Sequence, residues 1–282
     1  AVGFLAYWLV SVTEGAYLGK RAVRLLYDIG ASTYDGVKQY DRLDEFMVLG
    51  KPLLDRLDRT AGTRALVLDV ATGTGRLPLA LLRERFRGQI IGLDLSPGML
   101  RQARRKLRPY DDQVCLIWQD ASKLPFDDGT FDAVTCMESL EFMPQPLEVL
   151  SEMVRVLAPG GILLLTNRVG HEARFLPRRA IPRPEFQRAL DDQPLSEFEV
   201  RPWQVNYDMA VGRKAGSRVE RTDGEAKIAS LVRCPGCGSP LHQEVTALSC
   251  AVCVQSYPIR QGLVYLAPHQ PQATGSGPAS QP

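Results

Sequence analysis

Leu66-Val67-Leu68-Asp69-Val70-Ala71-Thr72-Gly73-Thr74-Gly75 is the stretch whose reading decides the fold. The apolar run from Leu66 to Leu68 predicts a buried strand closed by Asp69, and Leu77, Ala80 and Leu81 continue at helical spacing beyond a glycine-containing turn. Gly73 and Gly75 let the backbone approach a ligand without side-chain obstruction. A dinucleotide fingerprint needs a third glycine, but Pro78 holds that position and an acid, Asp69, sits ahead of the loop. That combination argues against NAD. A carboxylate at Asp69 can receive an ammonium group while the turn amides face a carboxylate, which suits the amino-acid end of a ligand. A second apolar run, Ile90 to Leu93, ends in Asp94. In open parallel sheets an acid there grips the ribose hydroxyls of a nucleoside.

Working outward, 282 residues suit one large domain plus a small module. Hydrophobic content of 45% and charge of 23% are those of an ordinary globular protein, and a formal charge of +2 makes no case for nucleic acid. Ser96-Pro97 supplies an N-cap and an N1 proline for a helix through Met99, Leu100, Ala103 and Leu107, whose outer face carries Arg101, Arg104, Arg105, Lys106 and Arg108 as a solvated stripe. Val114 to Trp118, Phe131 to Met137 and Ile162 to Thr166 predict strands covered on both faces. Leu147, Leu150, Met153, Val154 and Leu157 mark a helix broken by Pro159-Gly160-Gly161, and Phe198 to Trp203 with Tyr207 to Val211 predict a closing hairpin. Phe46, Leu49, Leu53, Leu54 and Leu57 give an amphipathic helix that covers the sheet.

These motifs resemble, in order, those of class I S-adenosylmethionine-dependent methyltransferases. Val67 to Gly75 is similar to their first motif in the form found in ubiquinone/menaquinone biosynthesis methyltransferases, with Ala71 where many relatives have glycine. Gly92-Leu93-Asp94-Leu95-Ser96 resembles the ribose motif, Gln119-Asp120-Ala121 the adenine motif, Phe131 to Val134 the fourth strand, and Ala158-Pro159-Gly160-Gly161 the turn into the fifth. The resemblance spans residues from about 27 to 213 and implies an α/β fold, a Rossmann-like, seven-stranded, mostly parallel sheet. It implies S-adenosyl-L-methionine held by Asp69, Ala71, Thr72, Gly73, Gly75, Asp94, Leu95, Met99, Asp120, Ala121 and Glu138. Of the pairs Tyr27-Asp28, Tyr34-Asp35 and Tyr40-Asp41, an aromatic closes over the methionine end of the cofactor or else anchors a helix end.

A sulfonium is an activated methyl donor, so alignment and desolvation can carry most of the rate. A base is needed only where the acceptor loses a proton; the candidates are Glu141 and His171. The loop from Arg168 to Arg188 holds six arginines against Glu172 and Glu185, and either receives an anionic acceptor or is a solvated surface. Cys136-Met137-Glu138-Ser139-Leu140 lacks the N-P-P-aromatic signature of amino-nitrogen methylation. The expected acceptor is therefore a small or lipid-like molecule such as a quinone or related aromatic, with nucleic acid unfavoured. Alternatives are an RNA or protein methyltransferase and a non-catalytic cofactor-binding partner.

Cys234-Pro235-Gly236-Cys237 and Cys250-Ala251-Val252-Cys253 place four thiolates around one structural zinc, with Gly236 and Gly238 turning the backbone round it. The stretch Leu231 to Leu266 resembles the small zinc-ribbon activator subunits of tRNA, rRNA and release-factor methyltransferases. Its Ile259, Leu263, Val264 and Leu266 need a surface to cover them. Cys115 and Cys136 lie in apolar runs, and this cysteine usage fits a reducing compartment, hence a cytoplasmic protein. Residues 1–13 are uncharged and aromatic, without the positive start of a signal peptide, and fall short of the ~20 residues that span a bilayer. They predict a helix packed on the core or one lying on a membrane surface, with Lys20, Arg21 and Arg24 near the headgroups. The domain division is 1–45 helical cover, 46–213 methyltransferase domain, 214–230 linker, 231–266 zinc ribbon and 267–282 disordered tail. No feature of the sequence sets an oligomeric state.

Overall fold

The computed structural model describes residues 2–38, 41–60, 64–84, 86–217 and 228–266; Tyr40, most of the expected linker and the whole expected tail lie outside these. The apolar runs form β1 (Leu66–Val70), β2 (Gln89–Asp94), β3 (Val114–Trp118), β4 (Phe131–Cys136) and β5 (Leu157–Arg168). β6 (Leu195–Trp203) and β7 (Tyr207–Lys214) make the closing hairpin. β1 lies between β2 and β4 in parallel register, and β7 runs antiparallel to both β5 and β6. Every residue of β1 and β4 is buried, as continuous apolar runs under helices on both faces require.

The sheet does not stop at seven strands. β8 (Leu241–Gln243), β9 (Ala247–Cys250), β10 (Ser256–Arg260) and β11 (Leu263–Tyr265) continue it in the order β6-β7-β5-β4-β1-β2-β3-β11-β10-β9-β8. β11 joins β3 in parallel, with Leu263 opposite Leu116, Val264 opposite Ile117 and Tyr265 opposite Trp118. Alternation of side chains along β11 then divides the ribbon between the two core layers. Leu263 belongs to the core layer that holds Leu49, Leu100 and Leu116, while Val264 and Leu266 belong to the layer of Ile117 and Phe126. Arg233 pairs with Asp127, and the Trp118 and Tyr265 rings meet edge-on at 5.3 Å.

The covering helix is Arg42–Glu45, a π-helical turn Phe46–Gly50, and Lys51–Thr60, which buries Leu49, Leu53 and Leu57 completely. Pro97–Leu107 starts as its sequence demands: Ser96 Oγ accepts from the Met99 amide at 3.0 Å, with Pro97 at N1. Lys214 belongs to β7 rather than to the linker; its Nζ donates to the carbonyls of Val154 and Leu157 where Pro146–Val156 ends. Near the N-terminus, Val2–Tyr7 runs into a π-helical turn, Trp8–Val12, and Trp8 stacks on Tyr17 at 5.1 Å. Tyr17 donates to the Pro177 carbonyl and Arg179 to that of Ala16, so this segment rests on the loop after β5.

Candidate functional site

A cleft of about 810 Å³ opens over the C-terminal ends of β1, β2, β3 and β4, where an open parallel sheet places its ligands. Ala71, Gly73, Asp94, Leu95, Met99, Asp120, Ala121 and Glu138 of the expected set line it. Gly73 has φ +55° and nothing within 4 Å of where a Cβ would stand, so its backbone is open toward the cleft. Ala71 and Glu138 are also left-handed, at φ +55° and +51°, a conformation that strains any residue with a Cβ. Gly75 serves packing instead: a Cβ there would meet Leu107 Cδ1 at 2.9 Å.

Asp94 accepts from the Gly73 amide through Oδ2 and from the Ser96 amide through Oδ1, both at 2.8 Å. Burial raises its pKa to about 6 despite these two bonds. Asp69 is turned away from the cleft. It is buried and accepts from Thr135 Oγ1 and Thr72 Oγ1, each at 2.6 Å, and burial lifts it to about 6 as well. Asp69 and Thr72 therefore shape the loop from behind, and neither lines the cleft.

The sequence reading missed the contribution of Lys20. Its Nζ lies 2.5 Å from Asp120 Oδ2 and 2.6 Å from Ser122 Oγ, on the cleft wall and not among headgroups. Burial would raise the Asp120 pKa, but Lys20 and the two Ser122 bonds hold it below the ordinary value. Nothing in the pattern around Lys20 signals a partner one hundred residues away. Beside this pair, Gln119 Oε1 is buried on the cleft wall without a hydrogen-bond partner among the described residues. Tyr27 and Tyr34 line the cleft as well. The acids paired with them in sequence clamp the loops: Asp28 accepts from Ser96 Oγ and the Gly98 amide, and Asp35 accepts from Thr74 Oγ1 and Lys106.

The two base candidates part company. His171 is exposed beside Phe175, away from the cleft. Glu141 is 1% exposed and lies behind the cleft, accepting from the Tyr207 hydroxyl at 2.7 Å and paired with Arg168 at 3.1 Å. Burial raises its pKa, with Arg168 opposing. Two arginines of the basic loop are turned inward, Arg168 to Glu141 and Arg179 to the N-terminal segment, and exposed Arg183 pairs with buried Asp208. Arg76 joins Glu45 of the covering helix to Glu138, which fixes the left-handed turn after β4.

The four cysteine sulfurs of the ribbon lie within 4.8 Å of one another, with Cys234 to Cys253 and Cys237 to Cys250 both at 3.4 Å. Tetrahedral zinc with bonds of about 2.3 Å sets its sulfurs ~3.8 Å apart, so the cluster fits a metal site. Of the two glycines, only Gly238 is left-handed, at φ +77°. Its counterpart after the second knuckle is Val254, at φ +59°. The Gly238 and Val254 amides donate alike to the Cys234 and Cys250 carbonyls. His242 is exposed on β8, outside the cluster.

A family model described as a methyltransferase domain matches residues 68–165. The demethylmenaquinone methyltransferase of Clavibacter sepedonicus is 39% identical over 45% of this chain and 52% of its own length. That of Thermus thermophilus is 41% identical over 45% and 60%, so the chain spans little more than half the length of these relatives. The ubiquinone/menaquinone biosynthesis C-methyltransferase of Roseobacter denitrificans is 31% identical over 68% of this chain and 71% of that protein. Among solved structures, an S-adenosylmethionine-dependent methyltransferase of Methanococcus maripaludis (18% identity, TM-score 0.54, covering 68% and 95%) shares the fold. So does a chain of the Haloferax volcanii complex between a methyltransferase activator and a methyltransferase (23%, 0.53, 70% and 100%). With the cleft, the strand order and the Roseobacter match in agreement, the chain belongs to the methyltransferase family that includes the ubiquinone/menaquinone biosynthesis C-methyltransferases.

Proposed function

We propose that this chain transfers a methyl group from S-adenosylmethionine to a small or lipid-like hydroxylated aromatic, such as a quinol. The observation that carries the reading is the set of polar groups gathered at one cleft: the Gly73 turn with no side chain over it, the Asp94 carboxylate held by the Gly73 and Ser96 amides, and Gln119 Oε1, without a hydrogen-bond partner among the described residues. These fit a ligand with ribose hydroxyls beside Asp94 and an adenine amine beside Gln119, Asp120 and Ala121. Glu138, paired with Arg76, then lines the end left for the amino-acid part. The names of the relatives support a quinone-type acceptor. When bound, the sulfonium supplies an electrophilic methyl; the chain aligns it, and Tyr27, Tyr34 and Phe142 exclude water.

The cysteine cluster supports a structural zinc, closed by four sulfurs with no position for water. The described boundaries support a methyltransferase domain from about 46 to 213 and a ribbon from 231 to 266, joined through one sheet. Leu5, Tyr7 and Val10 face solvent at 55%, 60% and 42% exposure, which supports peripheral contact with a membrane holding a lipid-like acceptor.

Asp94→Ala tests the reading. Losing a charged acceptor costs about 1.5–3 kcal/mol, which is roughly 10- to 150-fold in S-adenosylmethionine affinity. Calorimetric titration showing wild-type affinity in this variant would remove the ribose assignment. Absence of labelled methyl in any quinol fraction incubated with wild-type enzyme would remove the acceptor class.

A further inference from the structure

A second cavity, of about 1150 Å³, lies over the C-terminal end of β5 and the start of β7, lined by Glu14, Glu138, Arg168, Glu172, Asn206 and Tyr207 among others. Glu138 belongs to both cavities. A second link joins them, because Tyr27 on the cleft wall donates to Glu14 on the wall of this one at 2.5 Å. A molecule seated here therefore abuts the end of the cleft where Glu138, Tyr27 and Phe142 meet.

The polar groups on its floor are arranged in an unusual way. Tyr207, 5% exposed, has its oxygen between two charged partners: it donates to Glu141 Oε1 at 2.7 Å and accepts from Arg168 Nε at 3.1 Å. Glu141 is 1% exposed, and its Oε2 has no hydrogen-bond partner among the described residues. A buried carboxylate left half satisfied costs stability; such groups cluster where proton chemistry needs them. The Arg168 side chain makes a single hydrogen bond among the described residues, the one to Tyr207, beside ion pairs with Glu141 at 3.1 Å and Glu172 at 3.4 Å.

We infer that this second cavity is the acceptor site, and that Tyr207 is the catalytic residue that takes the proton of a hydroxyl-bearing aromatic acceptor, with Glu141 receiving the proton that Tyr207 gives up and Arg168 positioning the tyrosine. The inference rests on the methyltransferase reading above. The acceptor hydroxyl donates its proton to the Tyr207 oxygen as the Tyr207 proton passes to Glu141 Oε1. The electron pair freed on the acceptor forms the new bond to the methyl carbon. The sulfur–methyl bond breaks with its pair remaining on sulfur, so the net charge leaves the donor and one proton resides on Glu141. The ring hydrogen of a carbon acceptor is lost afterwards, to water, as the ring regains aromaticity. Arg168 steadies negative charge on the tyrosine oxygen during the relay. Glu138, Glu172 and Tyr27 are the other titratable groups around Glu141 and Arg168. Desolvation raises Glu141, which suits a carboxylate that must hold a proton for part of the cycle.

The experiment compares wild type, Tyr207→Phe and Glu141→Gln on 1,4-naphthohydroquinone under reducing conditions, with S-adenosylmethionine affinity measured alongside. In Tyr207→Phe, kcat should fall about 100-fold or more while cofactor affinity stays within about twofold. The same variant should bind naphthohydroquinone and its dimethyl ether alike, whereas wild type prefers the hydroquinone. Glu141→Gln should remove the acidic limb of the kcat–pH profile, a change that a mere brace would not cause. Near-wild-type turnover of Tyr207→Phe, or an unchanged hydroxyl preference, overturns the proposal. Should Tyr207→Phe fold poorly, Val205→Trp serves: Val205 lines the cavity at 91% exposure, so the substitution fills the space without touching the core. It should raise the hydroquinone KM about tenfold or more at unchanged cofactor affinity, and an unaltered KM overturns the assignment. Failure of the methyltransferase reading would show separately, as wild-type protein that binds no S-adenosylmethionine, and the hydroxyl preference would still decide the cavity.

Discussion

Asp94 carries a pH signature. Model carboxyls ionise near 3.9, whereas buried Asp94 and Asp69 ionise at about 6 in the folded chain. Between pH ~4 and ~6 the folded state therefore holds more protons than the unfolded one, and stability declines as pH rises through that window. With the ribose held by Asp94 as proposed, cofactor affinity should have the opposite slope, since only the ionised carboxylate accepts from both hydroxyls. Titrations from pH 5 to 8 should show S-adenosylmethionine binding weakening below about 6, and Asp94→Asn should flatten the curve. A wild-type affinity constant across that range would separate Asp94 from the ribose. The place of Asp94 was legible in the sequence, because the apolar run of β2 stops at it. Lys20 and Tyr207 were not, because each acquires its role from a partner 66 to 100 residues away. Asp69 was legible as the end of the strand but its orientation was not: Thr72 of the following turn and Thr135 of β4 sequester it, and no spacing rule announces a hydroxyl 66 residues away.

Among the elements, β11 matters most for its size. Its three residues lie between β3 and β10, so a proline at Val264 removes a ladder bond whichever neighbour its amide serves. The orphaned carbonyl costs about 1–3 kcal/mol. β3 ends at Trp118, immediately before Gln119 and Asp120, so the disturbance reaches the cleft. Val264→Pro should lower both the thermal midpoint and S-adenosylmethionine affinity, and Cys250→Ser should do the same while releasing the metal, which elemental analysis would follow. Metal loss with undisturbed cofactor affinity would show that ribbon and cleft are energetically separate. The strands of the main sheet were legible as continuous apolar runs. The packing of the ribbon on the core was legible in Ile259, Leu263, Val264 and Leu266, which need a cover. The strand pairing that joins the modules was not, because Leu263-Val264-Tyr265 is too short to declare a strand and its partner lies about 150 residues earlier.

At the scale of the molecule, the ribbon contributes to both core layers, with Leu263 in one and Val264, Leu266 and Tyr257 in the other. No helix among the described residues is long and apolar enough to cross a membrane. Contact with a bilayer would therefore be made by the outward side of the N-terminal segment, where Leu5, Tyr7 and Val10 are exposed while Trp8 holds the segment down on Tyr17. Replacing Leu5, Tyr7 and Val10 together with serine should abolish sedimentation with vesicles of mixed neutral and anionic lipid and leave cofactor affinity unchanged. Equal sedimentation of the two proteins would show that the segment is only a cover.

Without the ribbon, β3 would be the outermost strand of the catalytic sheet, and its buried apolar sequence Cys115-Leu116-Ile117 would offer open amides and carbonyls to any extended chain. Such a border is a template for self-association. β8, the strand that ends the sheet in its place, is three residues long with His242 and Gln243 exposed. A separate subunit guarding that border would have to be made in matching amount and would leave on dilution. Carried on the same polypeptide, the guard is present once per chain at any concentration, and the main sheet is shielded from the moment the chain folds.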